Sequence, residues 1–222
     1  MSALLHAAAL LPCQTPLLLP EMRDLPTISV PAPPGVNTRD VYGVPNSQTS
    51  DHFVLRWGNS GNVNDTLIAD TLEALETSWD AEVELMGYPE PIGAGEYLFN
   101  VYIGNTGDGA PDIPSAAGYY TRDSEGWPII VLNPDVISDA VYGRNTIAHE
   151  LFHALQDASD SYDYAGEAAW FWEATASWVE AEVYPEDGHY ADFLAGFALF
   201  PHLKLNFFDY PDTGVLTEYY QY

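Results

Sequence analysis

From Asn133-Pro134 onward the chain settles into helical periodicity, and this change restricts the fold more than any other feature. Ahead of it lie mostly short apolar runs. His52–Trp57 alternates towards a strand, and Tyr97–Ile103 reads as a second one. Residues 117–121 (AGYYT) and 128–132 (PIIVL) flank a polar turn, the pattern of a β-hairpin. One helix is expected among them. Its apolar residues Ile68, Leu72, Leu75, Trp79, Val83 and Met86 recur at helical spacing, Asn64 or Asp65 caps its start, and Gly87 ends it. After Pro134 the helical pattern runs to about Tyr184. Strands early and helices late predict an α+β fold.

Composition narrows the function. The 222 residues include 6 Lys+Arg against 33 Asp+Glu, a formal net charge of −27. A polyanion has no attraction for nucleic acid or an anionic membrane, so the charge argues against both as partners, an N-terminal anchor aside. A hydrophobic content of 47% argues against a disordered acidic tail, which lacks the apolar surface to offset ordering entropy. The single cysteine, Cys13, rules out a disulfide scaffold and a four-thiolate zinc site. Such a charge suits a secreted protein. Residues 1–20 (MSALLHAAALLPCQTPLLLP) read as a signal-like or lipoprotein-like segment. Prolines 12, 16 and 20 break its apolar pieces too often for a membrane-spanning helix. Cys13 matters in this reading only as a weak lipoprotein-type cysteine. Residues 21–50 are a proline-rich linker, and the folded domain is expected over 51–222.

The chemistry is concentrated in His149-Glu150-Leu151-Phe152-His153. On a helix, side chains four apart differ by roughly 40° around the axis, so the two imidazoles can converge on one metal ion. Glu150 falls one residue on, where its carboxylate reaches a water on that ion rather than the ion itself. Ile147, Leu151, Ala154, Leu155 and Ala158 form an opposite, apolar side. A chain of this composition would contain the motif by chance only about 0.01 times. A catalytic zinc site needs a third protein donor, and Glu173, twenty positions beyond His153, is the candidate. It shares a helix face with Ala169, Ser177 and Glu180, and Trp170, Trp172 and Trp178 around it predict a buried helix. A buried glutamate needs a partner of opposite charge.

This pattern resembles the gluzincin metalloproteases, the thermolysin-like enzymes with HExxH and a distal glutamate. More narrowly, IAHELFHALQ followed by WFWEATASWVEAEVYPE is similar to a poorly characterised family of bacterial sequences assigned as secreted metalloproteases. The resemblance covers residues 51 to the end. It implies a zincin-like fold: a small mixed sheet, an active-site helix, then a second ligand-bearing helix. It also implies zinc held by His149, His153 and Glu173, Glu150 as general base, and a polypeptide substrate paired to the strand around Gly118-Tyr119-Tyr120. Tyr164, eleven residues beyond His153, matches the position of a transition-state tyrosine, with Tyr219 and Tyr220 as rivals. Two positions depart from the pattern. Ser177 stands where thermolysin-like enzymes carry the aspartate that supports a zinc histidine, leaving Glu180 as the substitute, and Trp172 replaces an asparagine. Relatives continue beyond TEYYQY, so the resemblance further implies a domain truncated at its C-terminus.

Other readings stay open. Asp157, Asp160 and Asp163, or Asn105, Asp108 and Asp112, are oxygen donors suited to Ca2+, although solvated charge is the commoner role of such clusters. His6, His52, His189 and His202 have no partner spacing and read as non-functional. The alternatives to an enzyme are a catalytically inactive zinc-bearing surface protein and a calcium-dependent acidic adhesion protein.

Overall fold

A computed structural model of the chain describes residues 11–13, 15, 37–113, 116–159, 169–189, 191, 202 and 204. The architecture is α+β. Its strands are β1 (Leu11–Cys13), β2 (Asn46–Thr49), β3 (Phe53–Trp57), β4 (Phe99–Ile103), β5 (Ala116–Arg122) and β6 (Pro128–Leu132). They form one mixed sheet in the order β1-β5-β6-β4-β3-β2. β3, β4 and β6 run parallel at its centre, β5 and β6 make the expected antiparallel hairpin, and β2 closes one edge antiparallel to β3. At the other edge β1 pairs parallel with β5, placing Leu11 against Ala116 and Cys13 against Gly118.

Side chains alternate across this sheet as the period of two requires. Phe53, Leu55, Phe99, Val101, Ile103, Tyr120, Ile130 and Leu132 lie on one face. They pack against Leu67, Ile68, Leu72, Leu75 and Trp79 of α1 (Asp65–Trp79) and Ile147, Leu151 and Ala154 of α3 (Ala140–Ala158). The opposite face carries Tyr102, Tyr119, Ile129 and Val131 under Val44 and Ile113. Both helices therefore cover the same side of the sheet, and the site is built there.

Local signals explain the helix boundaries. Asn64 caps α1 by accepting from the N–H groups of Thr66 and Leu67, each at 3.0 Å. The expected single helix to Gly87 instead widens into a π-helical stretch at Asp80–Leu85, and Gly87 turns the chain with φ +78°. Asn133 caps the short α2 (Pro134–Ile137), and Asp139 caps α3 through the N–H groups of Val141 and Tyr142. Among the described residues, the helical stretch read from the sequence after Pro134 is thus divided into three helices, the last being α4 (Ala169–Val183). Folded structure also begins earlier than Asp51, at β2 and, in the described part of segment 1–20, at β1. Among the described residues no helix is long and apolar enough to cross a membrane.

α3 is buried on nearly every side. Phe152 and Leu155 pack with Ala176 and Val179 of α4, while Ile147 and Leu151 face the sheet. The small, buried Ala176 and Ser177 of α4 let the two helices approach. Trp172 is buried, but Trp178 is 43% exposed, so one of the three tryptophans lies outside the packing expected of it.

Candidate metal centre

The helical repeat brings His149 and His153 onto the α3 face that meets α4 and β1, not onto an open surface. Both are buried, as are Glu150 and Glu173. Nε2 of His149 lies 3.2 Å from Glu173 Oε2, and Nε2 of His153 lies 3.3 Å from Glu173 Oε1. The carboxylate thus faces both imidazoles at once. A fourth donor joins them. Cys13 Sγ stands 3.5 Å from His153 Nε2, and the donor atoms of Cys13, His149, His153 and Glu173 all lie within 4.8 Å of one another. Tetrahedral sites take donors of these kinds at such mutual distances.

Each histidine is fixed from behind by its other ring nitrogen. His149 Nδ1 is 2.7 Å from Glu180 Oε1, so Glu180 holds the place that Ser177 leaves empty of a carboxylate. His153 Nδ1 is 2.7 Å from Gln156 Oε1, while Gln156 Nε2 donates to Trp172 O at 3.0 Å and Thr175 Oγ1 at 2.7 Å. These contacts leave the two Nε2 atoms aimed at the shared centre, which is how outer partners orient metal-binding histidines. Trp172 stacks on the His153 ring at 5.5 Å between centroids. A tryptophan in the asparagine position of the thermolysin-like pattern therefore serves as a wall for the site.

The electrostatics call for a cation. Glu150, Glu173 and Glu180 are buried together, and among the described residues their ion-pair partners are histidines, with no Lys or Arg. Burial works against the charged Glu173, yet the neighbouring His153 and His149 outweigh it and bring the carboxyl down to about 2. Burial also opposes a charged His149, but Cys13, Glu173 and Glu180 around it hold its pKa well above the usual histidine range. The Glu150 carboxyl is pushed up by burial in the first place. Glu150 Oε1 and Glu173 Oε1 are both buried without a hydrogen bond among the described residues. Orphaned carboxylate oxygens beside two convergent imidazoles fit a bound divalent cation.

Glu150 lies against the sheet edge. Gly118 of β5 sits directly beneath it: a Cβ there would come within 2.8 Å of Glu150 Cγ and 3.0 Å of Oε1. Only a glycine leaves the carboxylate room at this point. Because Cys13 is paired with Gly118 in register, its side chain points to the same face, towards α3. Cys13 Sγ is 3.5 Å from Glu150 Oε2, and Thr15 Oγ1 donates to the same oxygen at 3.2 Å. Thr15 Oγ1 also accepts from the Tyr120 N–H at 2.7 Å.

The structure thus gathers His149, Glu150, His153 and Glu173 at one point, with Glu180 behind His149 as expected, and adds Cys13 and Gln156. Cys13 corrects the sequence reading, in which the thiol had no place in the site. His189 is also nearer than expected, its Nε2 being 3.6 Å from Glu180 Oε2. His52 belongs elsewhere, held 2.6 Å from Glu76 and stacked on Trp79. Tyr164, Tyr219, Tyr220, Asp160 and Asp163 lie outside the described residues. Asp157 is paired with Arg122 through two contacts, at 2.8 and 2.6 Å. In the glycine-rich loop Asn105 bonds both backbone groups of Ile113, and Asp108 accepts from the Asn59 N–H. These acids and amides hold the fold together.

Fold and site define an α+β protein with a buried Cys/His/His/Glu group that could hold a metal ion. The chain belongs to the family described as "Family of unknown function (DUF6055)", which matches residues 25–200. His149, Glu150, His153 and Glu173 lie inside that span and Cys13 ahead of it. No curated protein and no solved structure matches the chain.

Proposed function

We propose that the chain is a secreted zinc-dependent endopeptidase of the gluzincin kind on a zincin-like fold. The observation that carries this reading is the convergence of His149 Nε2, His153 Nε2 and Glu173, with Glu150 one residue along the same helix. Two imidazoles favour zinc over calcium or magnesium, which prefer all-oxygen surroundings. Held by His149, His153 and Glu173, zinc would supply a water of lowered pKa and polarise the scissile carbonyl. Glu150 takes the proton from the attacking water and returns it to the leaving amine. With β1 displaced, β5 at Gly118-Tyr119-Tyr120 would offer backbone groups for an extended peptide to pair with. Tyr164 is the oxyanion donor that the resemblance offers. The −27 charge fits work outside the cell.

The test is cleavage of a mixed fluorogenic peptide library in the presence of zinc, wild type beside Glu150→Gln. General bases contribute about 10²–10⁴-fold, so the variant should lose at least that much turnover while keeping its metal. Zinc uptake without cleavage by either protein would favour the second reading, a zinc-bearing binding protein. The observation behind that alternative is the contact of Cys13 and Thr15 with the catalytic groups.

A further inference from the structure

We infer that Cys13 is a fourth metal ligand and that β1 occupies the substrate strand position, so the chain carrying this segment is a self-blocked form of the enzyme. The inference rests on the zinc-peptidase reading and deepens it. Three independent observations converge on residues 11–15. Cys13 Sγ lies within 4.8 Å of every other donor in the group, where a zinc ion on His149, His153 and Glu173 would otherwise keep its open position. Thr15 Oγ1 and Cys13 Sγ both reach Glu150 Oε2, one of the two oxygens of the proposed base. β1 pairs with β5 at Ala116 and Gly118, and Thr15 takes the Tyr120 N–H, so the backbone edge offered to a peptide is already in use.

Each contact removes something different. The thiol displaces water, the threonine hydroxyl occupies the base, and the strand fills the binding edge. A thiolate is a good zinc ligand, and binding as thiolate releases the Sγ proton to solvent. The segment thus mimics a substrate but places a sulfur where a carbonyl would have to sit. Among the described residues it is held by a three-residue edge strand, the Thr15 hydroxyl and the buried Cys13 side chain, whereas the three helical donors sit on helices of 15 and 19 residues. Leaving the site requires β1 and Thr15 to separate from β5. In the self-blocked form Cys13 and Thr15 remain on the chain and the Cys13 thiol is free of lipid.

The experiment uses the full chain loaded with Co2+ in place of zinc, as wild type, Cys13→Ala and Cys13→Ser. Because Cys13 is the chain's single cysteine, a sulfur-to-cobalt charge-transfer band can come from no other residue. The expected result is a band in the wild type, absent from both variants although they still bind cobalt. The zinc-loaded variants should then cleave peptides faster than the wild type. Relief of a segment that blocks about 90% of molecules would read as a rise of about tenfold. Cobalt bound by the wild type without the band would overturn the inference and leave the zinc site standing. A band lost in the variants with no gain in cleavage would overturn the self-blocking role. No metal bound by any of the three would overturn the zinc reading itself.

Discussion

The metal centre has two sides that are built differently. On the helical side His149, His153 and Glu173 are buried on α3 and α4, and each histidine has a fixed partner behind it, Glu180 or Gln156. On the strand side Cys13 and Thr15 reach the same centre from a sheet edge, held by strand pairing and side-chain hydrogen bonds. The first side is continuous with the core through Phe152, Leu155, Ala176 and Val179. The second is equally buried, with Cys13 1% and Thr15 0% exposed, but its backbone belongs to the short outermost strand of the sheet. Three donors on two packed helices and a fourth on an edge strand form a group that could lose the fourth with the other three left in place.

The largest expected effect breaks the comparison on its rigid side. Changing partners behind a ligand typically costs about 10–100-fold in metal affinity, so Glu173→Ala, which removes a ligand, should cost more than about 100-fold. Cys13→Ala should cost far less, because three helical donors remain. Competition with a zinc chelator reads both, and equal losses would erase the distinction. Next come the supporting contacts. Glu180→Ala and Gln156→Ala should each lower zinc affinity about 10–100-fold, measured the same way, without abolishing the site. On the strand side Gly118→Ala drives a methyl into Glu150 and should lower turnover while leaving zinc affinity near the wild-type value. A fall in zinc affinity matching the fall in turnover would place Gly118 with the ligands rather than with the base.

The smallest effect concerns stability. Glu82, in the π-helical stretch, is fully buried with neither carboxylate oxygen hydrogen-bonded among the described residues, and burial raises its pKa well above 4.5. The folded state therefore holds a proton that the unfolded chain releases above about pH 4.5. Stability from this group is present below that pH and is lost as pH rises towards the folded pKa. Glu82→Gln should raise the melting temperature at pH 7 by a few degrees, about 1 kcal/mol or more, and change little at pH 4. Thermal melts at the two pH values check this, and an equal shift at both would point to packing instead.

The helical side was legible because a helix converts sequence spacing into geometry. His149 and His153 at i and i+4 had to share a face, and the Glu173–Glu180 face followed from the same period. Gln156 was missed, though it stands three residues from His153 on that helix, a spacing that signals contact as plainly. The hairpin 116–132 was readable from its alternation and turn. The strand side was not. Cys13 meets Glu150 and His153 across 137 and 140 residues of sequence, and no local rule links a three-residue strand to its partner. Trp178 misled for the opposite reason: composition marks a residue as apolar but does not say which face of a helix it occupies.

The central claim is that His149, His153 and Glu173 hold zinc. Native mass spectrometry of the zinc-exposed protein, wild type beside a variant with both His149 and His153 changed to alanine, tests it most directly. The account predicts one zinc per wild-type chain and none in the double variant. A wild type without zinc, or a variant that keeps it, would contradict it.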